Sequence, residues 1–331
     1  MAHELHIVNG EARMAYLSEE GTPWHGLGVP LKSNASLEEW ATAAGLQWKA
    51  LKRPLYTVNN EGGLVMLEDD VVIVHSETQQ RLGLVGAGFK TVQPIEMLHA
   101  YKVIAGELGY QLKTAGNLRG GKRIWALADC GQQFSITPDD VVKRNLLLAT
   151  SFDGTMATIV DDTAIRVVCQ NTFRMAVGDG GENSRIRIPH SADFDPADIR
   201  AQLLTVKVEE DKKWELFKGQ ALQLASRKVT VKEATEFFIK IFAAEGDGTV
   251  DVGSLNVRST LSQIMTLYKD GVGQDTTSAK GTAWGLFNTV TRWADHTRNT
   301  RTADSRMERA WFGDSALKKQ TALDAALALA A

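Results

Sequence analysis

Residues 142–178 limit what this chain can fold into more than any other stretch. The run NLLLATSFDGTMATIVDDTAIRVVC carries three short segments rich in β-branched and apolar residues. Asp153-Gly154 between the first two is a tight-turn signal, because glycine accepts the positive φ that such turns require. Asp161-Asp162 is read as a second turn, leading into a third strand. QNTFRMAVGDGG follows without a spacer and is read as a helix closed by Gly178. The expected local order is therefore strand, strand, strand, helix, which places the chain among α+β proteins with an antiparallel sheet and a β-β-β-α core.

The flanking segments fit that class. Residues 1–60 read as a largely irregular N-terminal segment, in which Gly and Pro crowd around Trp24 and His25 in GTPWHGLGVPL. Ser36 with Glu39 forms a capping-box pattern, so SLEEWATAAG is expected as a short helix. The stretch QWKALKRPLYTV that follows is strand-like. Residues 61–190 form the expected α+β core. There LVMLEDDVVIVH and RLGLVGAGF pair as strands, Pro94 opens a helix, and YQLKTAG joins RIWALAD in a hairpin through NLRGGKR. From 191 to 331 the apolar residues recur at helical spacing, giving a helical C-terminal region broken by the polar segment EGDGTVDVGS at 245–254.

Charge and motif content argue against most catalytic classes. The formal net charge is -3, so the chain as a whole does not attract nucleic acid, although a local basic groove is compatible with that balance. Two cysteines, Cys130 and Cys169, are too few for a disulfide framework. The seven histidines are scattered, with no HExxH or HxH spacing that would hold a metal. In GNLRGGKR, Arg123 stands where a phosphate-binding loop needs Ser or Thr, and GLVGAGF has its glycines in the wrong order for a dinucleotide fingerprint. Cys169 sits near an expected helix start but among valines, as a buried structural thiol would. No apolar run is long enough to cross a membrane, and the N-terminus lacks the apolar core of a signal peptide. The expectation is a non-enzymatic cytoplasmic protein with no metal, no cofactor and no membrane partner.

Cations gather around the strand segments. Arg119, Lys122 and Arg123 lie on the glycine-containing hairpin turn, and Lys143 and Arg144 precede the central strands. Arg166 and Arg174 bracket the strand-to-helix junction, where a helix start is a natural anion site. Trp125, Phe152 and Phe173 are close in sequence and offer rings on which bases can stack. Against this stands the ordinary role of such residues, since cations on turns are commonly just solvated and aromatic rings commonly fill cores. A second basic run, Arg292 to Arg309, alternates with Trp293, Trp311 and acidic residues, a pattern that suits salt bridges between subunits.

Three motifs taken in order, GTPWHGLGVPL, SFDGTM with IRVVCQNTFRMA, and GTAWGLFNTVTRWADH with RAWFG, resemble the phage/plasmid-like protein family. Its core is catalogued as a domain of unknown function (number 932), and the resemblance runs from about residue 20 to the end. More distantly, the β-β-β-α order is similar to the core of the single-strand annealing recombinases. That likeness implies a homo-oligomer, a ring or filament, that binds single-stranded DNA and anneals complementary strands in recombination without ATP or metal. The rival reading is a self-assembling interaction protein of a mobile element that binds no nucleic acid.

Overall fold

The computed structural model describes residues 7–8, 11–20, 28–168, 171–174, 186–242, 255–298 and 314–331; at 7, 8, 11, 12, 20, 171–174, 255, 256 and 314 it describes the backbone alone. The chain is an α+β protein with antiparallel sheets and C-terminal helices. It divides into two compact units, neither of which is contiguous in sequence. The first comprises Met1–Gly131, Asn145–Asp162 and Glu182–Val208, and the second Gln132–Arg144, Thr163–Gly181 and Glu209–Ala331.

In the first unit β1 (Ile7–Val8) and β2 (Glu11–Ala12) form a small ladder of their own. The larger sheet runs from β12 (Asn171–Arg174) in the order β12-β11-β10-β9-β8-β3-β4, with β13 also paired to β11. These strands are β3 (Met14–Leu17), β4 (Val29–Leu31), β8 (Gln111–Leu118), β9 (Arg123–Thr137), β10 (Asp140–Ser151), β11 (Thr158–Arg166) and β13 (Ile186–Ile188), and the first unit holds the parts of β9, β10 and β11 that its bounds include. All registered pairs are antiparallel except β3 with β4. Helices α1 (Leu37–Ala43) and α2 (Pro94–Glu107) supply Trp40, Met97, Leu98, Tyr101 and Ile104 to a core shared with Ala115, Ile124, Ala126, Leu146 and Leu148. Both helix starts follow from sequence. Ser36 and Glu39 close a reciprocal capping box, and Pro94 occupies the first turn, where no amide partner is needed. Tyr101 donates its buried hydroxyl to the Leu146 carbonyl, and burial pushes that phenol well above its ordinary pKa.

A second sheet of the first unit, β5 (Ala50–Val58), β6 (Leu64–His75) and β7 (Arg81–Gly86), is antiparallel throughout. Gln93 ties it to the start of α2, donating to the Ala50 carbonyl at 3.1 Å and accepting from the Ala50 amide at 2.9 Å. The β5–β6 register breaks after Pro54, which opposes Val71, whereas Leu55 opposes Leu67. Glu68, Asp69 and Asp70 are thereby unopposed on β5, and the ladder beyond them continues as a separate arm.

The second unit keeps its own parts of β9, β10 and β11, with β12 (Asn171–Arg174) antiparallel to β11. With them are helices α4 (Val231–Phe242), α5 (Leu255–Asp270), α6 (Ala283–Arg292) and α7 (Asp314–Ala330), and the part of α3 (Pro196–Ser226) beyond Val208. Ala234, Phe237, Phe238 and Ile241 recur at helical spacing and are all buried. Every residue of α6 from Ala283 to Thr291 is buried, so its polar side chains bond the helix's own backbone. Asn288 donates to the Trp284 carbonyl, Thr289 to Gly285 and Thr291 to Asn288.

Two local expectations are corrected. Within QNTFRMAVGDGG, Asn171–Arg174 do not begin a helix but extend along β11 with Arg166 opposite Asn171; Gln170 and residues 175–181 lie outside the described residues. Asp161-Asp162 is not a turn either. β11 runs unbroken through both, since pairing on the sheet outweighs the turn preference of the dipeptide. The segments at 21–27, 245–254 and 299–313, and Cys169, also fall outside the described residues.

Candidate nucleic-acid interface

Three loops of the first unit converge at one place. They are Ser76–Gln80 between β6 and β7, Arg119–Lys122 between β8 and β9, and Phe152–Ala157 between β10 and β11. The Lys122 carbonyl accepts from the Phe152 amide at 2.8 Å, and Arg123 donates to the Thr155 hydroxyl at 2.7 Å. A Cβ on Gly120 would stand 3.2 Å from Gln80 Oε1, and one on Gly121 3.0 Å from the Trp48 ring. Gly121 has φ +92°, so its lack of a side chain serves both the left-handed backbone and the close approach.

Among the described residues, two that are not glycine hold a positive φ, and both are in this cluster. They are Gln79 at 56° and Arg119 at 55°. Such a conformation costs about 1–2 kcal/mol per residue, and backbone strain of this kind concentrates at functional sites. Trp48 forms the floor. It stacks on His75 with centroids 4.2 Å apart and meets Phe152 edge-on at 5.2 Å. His75 Nδ1 accepts from the amides of Glu77 and Thr78, which assigns the ring proton to Nε2. The Trp48 indole N–H is buried and has no hydrogen-bond partner. A buried donor left unmade costs about 1–3 kcal/mol, and Trp48 itself is a core residue.

Four cations border the cluster. Arg119 is exposed and Lys122 half-buried on the turn; exposed Lys49 follows Trp48, and exposed Arg81 follows Gln80. Glu77 and Asp153 are its acidic members, and Asp153 is engaged by the amide and hydroxyl of Thr155.

Of the remaining residues expected to contact nucleic acid, Arg123, Trp125, Arg144, Phe152 and Arg166 are buried, which corrects the expectation for these five. Trp125 and Phe152 belong to the buried interior. Arg123 is 6 % exposed, its guanidinium committed to Thr155. In the second unit Arg144 is buried and donates to Gln132 and Asp211, both at 2.6 Å. Arg166 is fully buried, as is Asp140, which it grips through Nε and Nη2 at 2.7 Å each. Asp140 also accepts from the Ser278 hydroxyl and from Trp284 Nε1 at 3.0 Å, while Arg166 reaches the Gly273 carbonyl and Thr276 Oγ1 at 2.9 Å. The late motif GTAWGLFNTV is thus wrapped around a buried ion pair: Thr282 caps α6, and a Cβ on Gly285 would strike the Ala279 carbonyl at 2.1 Å. Lys143 is half-buried on β10. Phe173 and Arg174 lie on β12, where the backbone alone is described. Of the second basic run, Arg298 bonds Ser315 and lies over Trp293, and Asp295 pairs with Lys319 at 2.8 Å inside the same unit.

Trp48, Lys49, Gln79 and Arg81 were not legible as site residues. The adjacent Trp-Lys in QWKALKR was the available signal, since an aromatic next to a cation is a common element of single-strand binders. A separate cleft of about 420 Å³ in the first unit is lined by Lys52, Lys90, Glu96, Asp193 and His190, among others. Its charges are balanced, with Lys90 held by Asp193 at 2.8 Å. Among the described residues no group of His, Cys, Asp and Glu could hold a metal ion, and no helix is long and apolar enough to cross a membrane.

A domain of unknown function (DUF932) matches the chain over residues 81–311. No curated protein and no solved structure matches it significantly.

Proposed function

We propose that this chain, which belongs to the DUF932 family, binds single-stranded DNA at the Arg119–Lys122 turn. The proposal extends to an oligomeric protein that promotes annealing of complementary strands during recombination of a phage or plasmid, in the cytoplasm of its host. The observation that carries the reading is the coincidence at one loop cluster of four cations and the two left-handed non-glycine residues. Arg and Lys hold a phosphate chain without reading sequence, and the glycine at 120 lets backbone and phosphate come close. With a net charge of -3, affinity must come from this local field, so it falls steeply with salt.

Fluorescence anisotropy of a labelled oligothymidine across a salt series tests the reading. Four phosphate contacts give a slope of log affinity against log salt of about -3. Arg119→Glu with Lys122→Glu is expected to weaken binding at least about tenfold and to flatten that slope by more than one. Unchanged affinity and slope in the double variant would overturn the proposal.

A further inference from the structure

The ladder formed by residues 55–58 and 64–67 extends past the acidic break at Glu68–Asp70 as a two-stranded arm. Its tip is well specified, because Asn59 Oδ1 accepts from the amides of Glu61 and Gly63 at 3.1 and 2.7 Å, and Gly62 takes φ +82°. Cross-strand pairs share a face, so Tyr56, Met66, Val58 and Leu64 lie on one side and Leu55, Leu67, Thr57 and Val65 on the other. Strands exposed to water on one face alternate apolar with polar residues, yet both faces here are apolar. Tyr56 is 51 %, Val58 63 %, Leu64 75 % and Met66 47 % exposed. A lone two-stranded hairpin is marginally stable in water, and this one leaves its apolar payload uncovered.

We infer that the arm docks on a second copy of this chain, face to face with the same arm of its neighbour about a two-fold axis. This inference stands whether or not the turn at Arg119 binds DNA. The charges suit self-association. The root of the arm on β5 carries exposed Lys52 and Arg53, and the tip carries exposed Glu61. An antiparallel pairing centred on Tyr56 and Thr57 brings the Glu61 tip of one copy over the Lys52–Arg53 root of the other. At roughly 90 Å² for each of the four exposed side chains on the Tyr56 face, one arm presents about 360 Å² of apolar surface to its neighbour. Two arms together provide about 700 Å², the size of a weak, reversible contact. Strand addition along β5 by an extended peptide is disfavoured, since Pro54 offers no amide to the edge.

Sedimentation equilibrium of the full chain decides the matter. The wild type is expected to associate, and Leu64→Lys with Met66→Lys to weaken association at least about a hundredfold while leaving the far-ultraviolet circular dichroism unchanged. Lys52→Glu with Arg53→Glu should weaken it too, and adding Glu61→Lys should restore it. Tyr56→Cys, placed next to the axis, should give a disulfide-linked dimer on mild oxidation, whereas Thr57→Cys on the opposite face should not. A monomeric wild type, association indifferent to the lysine substitutions, or equal cross-linking at positions 56 and 57 would overturn the inference. So would a monomer that binds phosphatidylcholine vesicles through the arm, which would assign the surface to lipid.

Discussion

Replacing Arg166 by Met removes the cation from a carboxylate that has no access to water. In the native chain Asp140 accepts two bonds from Arg166, one from Ser278 and one from Trp284, and Arg166 gives two more to Gly273 and Thr276. Methionine fills a similar volume, so the loss is chiefly electrostatic. Breaking a buried pair from one side costs about 3–5 kcal/mol, because the surviving charge is left uncompensated. Against a total stability of about 5–15 kcal/mol, that is a large fraction. Asp140→Asn with Arg166→Met removes both charges and should recover about 1–3 kcal/mol of the single-variant loss, the size of coupling found within one network. Urea unfolding followed by tryptophan fluorescence, with Trp214 and Trp284 reporting on the core of the second unit, measures all the corners of the cycle. The folded fraction of Arg166→Met should bind oligonucleotide as the wild type does. A loss below about 1 kcal/mol, together with weakened DNA binding, would refute the structural role assigned to this arginine.

Two further outcomes follow from the geometry. Gly121→Ala puts a Cβ 3.0 Å from the Trp48 ring and 3.2 Å from His75 at φ +92°; it should cost about 1–3 kcal/mol by thermal melting, whereas Gly120→Ala meets only the end of the Gln80 side chain and should cost less. Glu233 accepts from the Thr230 amide and from Arg227, bonds that lower its pKa from 4.5 to about 2. Because the folded value is depressed, the stabilisation is complete above about pH 4.5 and lost as pH falls toward 2. The melting-temperature difference between wild type and Glu233→Gln should therefore shrink across that window, and a constant difference would contradict the assignment.

Much of the architecture could be read from local signals. The capping box at Ser36, Pro94 at a helix start and the Arg119–Lys122 hairpin are written in adjacent residues, and the structure places them as expected, whereas Asp153-Gly154 lies in a six-residue loop, Phe152–Ala157, and not in a tight turn. The failures share one cause. Asp161-Asp162 and the Asn171 segment have local preferences for turn and helix, but sheet pairing with residues far along the chain decides their conformation. Arg144 and Arg166 look like solvated cations because their partners, Asp211 and Asp140, are 67 and 26 positions away. Nothing adjacent to either arginine announces burial. The proposed site is half visible in the sequence. Arg119 and Lys122 stood out on their turn, whereas Trp48 and Arg81 reach the same place only through the folding of the second sheet against it.

Photo-crosslinking a 5-bromouridine oligonucleotide to the intact protein, followed by peptide mapping, tests most directly where an unpaired strand lies. The attached peptides should contain Trp48–Lys49, Gln79–Arg81 or Arg119–Lys122. Adducts confined to the helices of the second unit, or none at low salt, would contradict the placement.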